Sequence, residues 1–190
     1  VNLINLNKET NKTSDIKNSR AQGFGAFIYN LSYPLKKNSE NYLNFLSPKI
    51  SLRYSPNKTK NLLNEDRRLD LNNIFSLNRL SLFDTIESGE SASLGINYEL
   101  SDKLNNDIFL ETGLAQVFRM EQNKDLPLNS TIGNKSSNIF GNFNFKYKNF
   151  VDFKSNYSFD KDLRESNYNY YDLKFNVNNF ITEFIYLDND

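Results

Sequence analysis

The 190-residue chain has 23 Lys and Arg against 23 Asp and Glu, so its formal net charge is zero and no basic stripe indicates nucleic-acid binding. Cysteine, histidine and tryptophan are absent, which excludes disulfides, Cys/His zinc sites and catalytic triads that use histidine. No run of about 18 apolar residues predicts a transmembrane helix, whereas a membrane β-barrel is compatible with the mean hydropathy of -0.66 and the 14% of aromatic residues.

The first 22 residues give weak signals. Residues 1–7 predict the end of a strand, and they carry neither the basic start nor the apolar centre of a signal peptide. Residues 8–22 predict a long connection before the first clear strand. Because the chain starts with valine, we expect it to be an internal piece of a longer protein.

Apolar side chains with a period of two predict β-strands along most of the remaining chain. The period is cleanest in residues 91–100, "SASLGINYEL", where every even-numbered residue is apolar and every odd-numbered one is polar or glycine. Within residues 42–54, Pro48 is predicted near the start of its strand, because proline cannot donate to a β-ladder. Similar alternation predicts strands at residues 23–34, 42–54, 107–119, 138–148, 150–160, 171–177 and 180–187.

The connections between these predicted strands alternate between short and long. The short ones are residues 36–41, 101–106, 148–149 and 178–179, and the long ones are residues 55–90, 120–137 and 161–167. Short turns at one end, long loops at the other and strands of about 10–12 residues are typical of outer-membrane barrels. Charged residues fall opposite the apolar rows, where a water-filled lumen accepts them. The alternative is an antiparallel sheet of a soluble protein whose apolar face covers a core.

The connection at residues 55–90 is the best functional candidate, because loops of this length are usually functional or disordered. Arg79 and Asp84 are its candidate polar anchors. The loop is either a lid or wall beside a transport route or a structural plug without ligand contact. Its apolar residues are too many for a free loop, and we expect them to pack inward or across the barrel mouth: Leu69, Leu71, Ile74, Phe75, Leu77, Leu80, Leu82 and Phe83.

Residues 46–100 also contain a specific order of motifs. A strand with a proline leads to a loop with an acidic residue, an Asn-hydrophobic-Phe step, an Asn-Arg pair and a further Asp, and a glycine-containing strand follows. The positions are Pro48, Asp66, Asn73-Ile74-Phe75, Asn78-Arg79, Asp84 and Gly95. This order resembles the barrel domain of the LptD family of lipopolysaccharide-assembly proteins. The likeness continues through "LETGLAQVFRM" and "SNIFGNFNFKYKN", although Thr85 stands where the family pattern has the arginine of an Asp-Arg pair.

The resemblance implies an all-β fold, a hairpin-connected antiparallel transmembrane β-barrel of which this chain supplies about eight or nine strands. Residues 1–190 are then part of one outer-membrane barrel domain, and the periplasmic jellyroll of the family lies outside this chain. The implied function is lipopolysaccharide assembly at the outer membrane of Gram-negative cells. The implied partners are lipopolysaccharide, outer-membrane lipid, an LptE-like lipoprotein plug and an LptA-like periplasmic bridge. The candidate site residues of the loop motif are Asp66, Asn73, Phe75, Asn78, Arg79 and Asp84.

Two other functions stay open. Eight strands suffice to close a narrow barrel, so the chain is alternatively part of a porin or a small closed channel. A soluble all-β binding module of the periplasm is the second alternative. We expect no enzymatic activity, cofactor, metal or nucleic-acid partner, because carboxylate pairs such as Glu65 and Asp66 are most simply solvated loop charges.

Overall fold

The computed structural model describes residues 23–82, 85–104, 107–178 and 180–188. The described residues form nine β-strands, and none of them belongs to a helix long and apolar enough to cross a membrane. The strands are β1 (Phe27–Ser32), β2 (Leu35–Asn38), β3 (Tyr42–Ser55), β4 (Gly89–Asp102), β5 (Ile108–Arg119), β6 (Ser136–Tyr147), β7 (Val151–Phe159), β8 (Ser166–Val177) and β9 (Phe180–Asp188).

All nine strands belong to one antiparallel sheet in which sequence neighbours pair from β2 to β9. The order is β1-β3-β4-β5-β6-β7-β8-β9, with β2 also paired to β3. Short turns connect β4 to β5, β6 to β7 and β8 to β9, and long connections follow β3 and β5. The predicted all-β, hairpin-connected architecture is therefore confirmed. The predicted strand at residues 1–7 lies outside the described residues.

The short turn predicted at residues 36–41 covers only residues 39–41, because Leu35–Asn38 is a strand. β1 and β2 pair with β3 on either side of a break at Tyr33 and Pro34. The prediction that Pro48 lies near the start of its strand is wrong. Pro48 lies in the middle of β3, beside this break, and pairs with a residue of β4. The carbonyl of Pro48 accepts a hydrogen bond from the Tyr33 N–H at 3.1 Å, so its missing N–H faces the break and removes no bond from β4.

One face of the sheet, which we call the apolar face, is built from the alternating apolar rows and stays uncovered. Leu52 of β3, Ala92 of β4 and Phe118 of β5 lie in one cross-strand row, and Phe145, Phe153, Leu173 and Phe184 lie in another. Leu52 is 53% exposed and Leu94 is 45% exposed. Neither a helix nor a second layer of described strands packs over these rows.

The opposite face, the polar face, is the one that carries the core. Two long connections fold back onto it, residues 56–88 after β3 and residues 120–135 after β5. Their apolar residues pack with small and apolar residues of β5 and β6 on this face. The buried cluster comprises Leu62, Leu69, Ile74, Leu80, Leu82, Ala115, Val117, Leu126, Ile132 and Phe140. The expected packing of the apolar loop residues is therefore confirmed, except for Phe83, which the structure does not describe.

Candidate functional site

The connection at residues 56–88, which we call the packed loop, fits the sheet because two strands carry glycine where it crosses them. A Cβ atom at Gly95 of β4 would lie 2.6 Å from Cζ of Phe75 in the packed loop. A Cβ atom at Gly113 of β5 would lie 2.9 Å from Cδ1 of Leu71. Any larger residue at either position would push these side chains away, since real Cβ contacts are longer. The glycines thus permit close packing of the loop on the polar face.

A buried ion pair within the packed loop holds Arg79, and two hydroxyl groups of β4 bind the same side chain. The guanidinium of Arg79 donates from Nε to Glu87 Oε2 at 3.1 Å and from Nη2 to Glu87 Oε1 at 2.7 Å. Arg79 also donates to the hydroxyls of Ser93, at 2.9 Å, and Ser91, at 2.7 Å. The side chains of Arg79 and Glu87 are 2% and 3% exposed. Such a two-point contact in a dry environment holds both position and orientation.

Two further arginines, one from each neighbouring strand, complete the cluster. Arg53 of β3 and Arg119 of β5 lie in the same cross-strand row, on either side of Ser91. Arg119 contacts Glu87 Oε1 through Nη1 and donates to a backbone carbonyl beside it through Nη2. Arg53 lies farther from the carboxylate, with 3.8 Å between its Nη1 and Glu87 Oε1. We call Arg53, Arg79, Glu87 and Arg119 the arginine cluster.

The arginine cluster is not balanced in charge or in hydrogen bonds. It contains three guanidinium groups and one carboxylate, all buried. Nε of Arg53 donates to the carbonyl of Leu77 at 3.2 Å, but its two terminal nitrogens are buried without a hydrogen-bond partner among the described residues. Arg53 is therefore the member held with the fewest favourable contacts, and Arg79 is the member held with the most.

The charge state of Glu87 follows from competition between burial and the arginines. Burial alone would raise the pKa of this carboxyl group, but the nearby positive charges of Arg79, Arg53 and Arg119 outweigh it, so the pKa lies below the ordinary glutamate value. The Arg79 hydrogen bonds to the ionised form add to the same effect. Glu87 is consequently a carboxylate at neutral pH, and the packed loop depends on that charge.

The predicted site residues divide between different parts of this arrangement. Asp66 accepts a hydrogen bond from Asn129 of the second long connection and faces Arg68 at 3.4 Å. Asn73 donates to the carbonyl of Arg68 at 3.0 Å, and Phe75 packs on the glycine of β4 described above. These two residues and Asp66 therefore shape the loop.

The other three predicted residues differ in their outcome. Asn78 accepts from the Leu82 N–H at 2.9 Å and donates to the Leu82 carbonyl at 2.7 Å, which closes a tight turn. Arg79 alone belongs to the arginine cluster. Asp84 lies outside the described residues. The six predicted residues therefore do not form one site, although they lie close together in the sequence.

The sequence analysis did not single out Arg53, Glu87 or Arg119, and charged residues were expected only to lie opposite the apolar rows. The alternation along β3 and β5 does place both arginines on that face, but their pairing depends on the strand register. Glu87 stands in an irregular stretch just before β4, where no period predicts its direction. No group of three or more Asp or Glu side chains that could hold a metal ion occurs among the residues described.

Comparison with models of protein families identifies a match over almost the whole chain. The family described as LPS transport system D, or LptD, matches residues 3–189 of the chain. No curated protein matches the sequence. The family match covers almost the whole chain, including both long connections and every strand of the sheet.

Proposed function

The chain belongs to the LptD family, which serves lipopolysaccharide transport, and we propose that it forms part of the wall of an outer-membrane β-barrel that delivers lipopolysaccharide to the outer leaflet. The observation that supports this proposal most directly is that the two faces of the sheet differ in the kind of side chains they carry. The apolar side chains of the apolar face are exposed or half-exposed from β1 to β9, whereas charges, glycines and a folded loop occupy the polar face.

Lipid is the environment that suits the apolar face. A Lys or Arg on a lipid-facing position near the middle of a bilayer costs roughly 2–4 kcal/mol. On β6 to β9 four charged residues instead lie in one row of the polar face, in the order Lys146, Asp152, Lys174 and Glu183, and Lys154 and Asp172 pair in another. Lys174 and Glu183 form an ion pair at 2.8 Å, half-exposed to water. This alternation of charge suits a wall that faces a hydrated lumen.

Within this barrel wall, the packed loop is proposed to close the long-loop end of the lumen beside β3 to β6. Its apolar residues are buried and its arginine cluster is anchored to three strands, so it is a fixed wall and not a free lid. Lipopolysaccharide would then leave the lumen by a route that avoids this closed end. An LptE-like lipoprotein inside the barrel and an LptA-like bridge below it are the partners that this role requires.

Single-cysteine labelling tests the orientation of the wall, since this chain contains no cysteine of its own. In the full-length protein, freed of any other cysteine and held in outer-membrane vesicles, we expect Leu94→Cys and Ile96→Cys to react with a lipid-soluble maleimide but not with a charged one. Asn144→Cys and Lys154→Cys on the polar face should react with the charged reagent. The reverse pattern, or equal reaction at all four positions, would contradict the proposal.

The function itself is tested in cells. A strain that depends on a regulated copy of the full-length protein should lose newly made lipopolysaccharide from its surface when the copy is switched off, as measured by surface labelling of the glycan. Export of an unrelated outer-membrane porin serves as the control. Normal lipopolysaccharide delivery after depletion would refute the transport role.

A further inference from the structure

We propose that a cavity on the polar face, between the packed loop and strands β6 to β8, binds a short neutral saccharide. The proposal rests on the proposed function, because the saccharide is taken to be a segment of the lipopolysaccharide glycan. The cavity has a volume of about 430 Å³, which falls within the range of roughly 300–1,000 Å³ for small-molecule sites. Its principal lining residues are Arg68, Asn138, Phe140, Asn156, Ser158 and Tyr168.

The packed loop and the sheet build the walls of the cavity together. Phe140 of β6 is 4% exposed and supplies an apolar floor. The guanidinium of Arg68 lies over the ring of Tyr168, with 5.2 Å between Cζ and the ring centroid. Nε of the same guanidinium lies 3.4 Å from Asp66 Oδ1. The cation–π contact favours this position of Arg68, whereas the ion pair adds little because the Asp66 side chain is 77% exposed.

The polar groups in the cavity are amides and hydroxyls already held in place. Asn138 donates from Nδ2 to Ser158 Oγ at 3.2 Å and to Asn167 Oδ1 at 2.9 Å. This contact uses the oxygen of Asn167 and leaves its amide protons for a ligand. The amide of Asn156 has no hydrogen-bond partner within the described part of the chain, so both its donor and its acceptor are available.

The charge of the lining favours a neutral ligand. Arg68 is paired with Asp66, which lies outside the lining, and the acidic lining residue Asp70 lies at the rim. No excess positive charge therefore remains to hold a phosphate group, which proteins usually bind with unpaired arginines or lysines. Sugar hydroxyls both donate and accept hydrogen bonds, and the amide of asparagine offers both functions as well.

The cavity is accessible from the solvent side of the polar face. Its rim residues Asp70, Leu128 and Asn129 are exposed, whereas the floor is buried. A saccharide can therefore enter while the packed loop keeps its position. The site lies at the end of the sheet where the long connections meet, beside the closed part of the proposed lumen.

The test uses the purified full-length protein in detergent and saturation-transfer-difference NMR. The probe is the dephosphorylated core oligosaccharide released from lipopolysaccharide. Asn156→Leu removes the free amide from the cavity, and Asn176→Leu removes a comparable amide from the polar face of β8 outside the cavity. We expect binding to weaken roughly 3- to 10-fold in Asn156→Leu and to stay unchanged in Asn176→Leu, as loss of hydrogen bonds to one side chain predicts.

The outcomes separate this inference from the proposed function. Absence of binding to the wild-type protein, or equal binding in wild type and Asn156→Leu, would overturn the saccharide site. Preference for glucose 1-phosphate over the neutral probe would overturn its charge selectivity, and equal binding of maltotriose would overturn lipopolysaccharide as the source of the ligand. If surface delivery of lipopolysaccharide still depends on the protein in these cases, only the cavity assignment fails.

Discussion

Replacing Glu87 by glutamine is the most direct test of how the packed loop is held. The substitution keeps the size of the side chain but removes the one negative charge of the arginine cluster. Arg79 at 2.7 Å and Arg119 in direct contact would then lose their counter-charge while they remain buried. Removing one partner of a buried ion pair costs about 3–5 kcal/mol, because an uncompensated charge stays in a dry site. Solvent does not screen this pair, since both side chains are at most 3% exposed.

This cost should appear as local opening of the packed loop while the strands stay paired. Amide hydrogen exchange measures such opening, and suitable probes are the hydrogen-bonded N–H groups of Ile74, Ser76 and Ser81 within the loop. A loss of 3–5 kcal/mol corresponds to exchange that is roughly 100- to 4,000-fold faster at these amides. The amides of the β4–β5 ladder should change far less. The measurement is made on the full-length protein in detergent.

A matched substitution separates the arginine cluster from general effects of charge removal. Glu65 lies in the same packed loop and pairs with Arg67 at 3.4 Å, but these two side chains are 43% and 35% exposed. Exposed pairs contribute about 0–1 kcal/mol, so Glu65→Gln should leave the exchange of the loop almost unchanged. If Glu87→Gln exchanges no faster than Glu65→Gln, the arginine cluster does not hold the loop, and the buried ion pair has no such role.

Three further expectations concern the same loop. The pKa of Glu87 is lowered in the folded state, so the charge of Glu87 stabilises the packed loop fully above the ordinary glutamate pKa. This stabilisation is lost as the pH falls through the lowered pKa. Loop exchange in wild type should therefore approach that of Glu87→Gln only in strong acid. Arg79→Met should speed loop exchange strongly. Arg53→Met should have little effect or slow it, because Arg53 brings excess charge and two terminal nitrogens without a hydrogen-bond partner among the described residues; equal effects would contradict the unequal hydrogen bonding. Gly95→Ala should destabilise the packed loop by about 1–3 kcal/mol, because the new Cβ atom would lie 2.6 Å from the Phe75 ring and 2.9 Å from a backbone carbonyl oxygen. Limited proteolysis measures this loss. Gly25→Ala is the control and should have no effect in the same assay, because the space around Gly25 is open.

The strands could be predicted from the sequence because residues of the apolar face and the polar face alternate with a fixed period. Residues 91–100 show this period without exception, and they lie entirely within β4, Gly89–Asp102. The break between β1 and β2 could not be predicted in the same way. The apolar row continues across Tyr33, and only the pairing with β3 reveals that the missing donor of Pro48 faces this break.

The arginine cluster could not be predicted because it depends on register and on an irregular loop. Arg53 and Arg119 are far apart in the sequence, and they come together only because each pairs across from Ser91. A register slip of one residue would turn either arginine toward the apolar face. The direction of Arg79 depends on turns such as the one closed by Asn78, and these turns follow no repeating period.

The buried core lies on the polar face of the sheet, although the sequence of the strands gives that face mainly polar residues. Its strands hold serine, glycine and alanine where the packed loop crosses them, so the apolar residues of the loop find space there. Farther along the sheet, on β6 to β9, the same face carries paired lysines and carboxylates, and they remain exposed to water. One face therefore combines a sealed part and a hydrated part, while the other is mainly apolar, with single polar residues such as Gln116 and Thr182 between its apolar rows. A soluble sheet has no reason to leave its apolar face bare and to build its core on the opposite side, but a barrel wall surrounded by lipid has to do both.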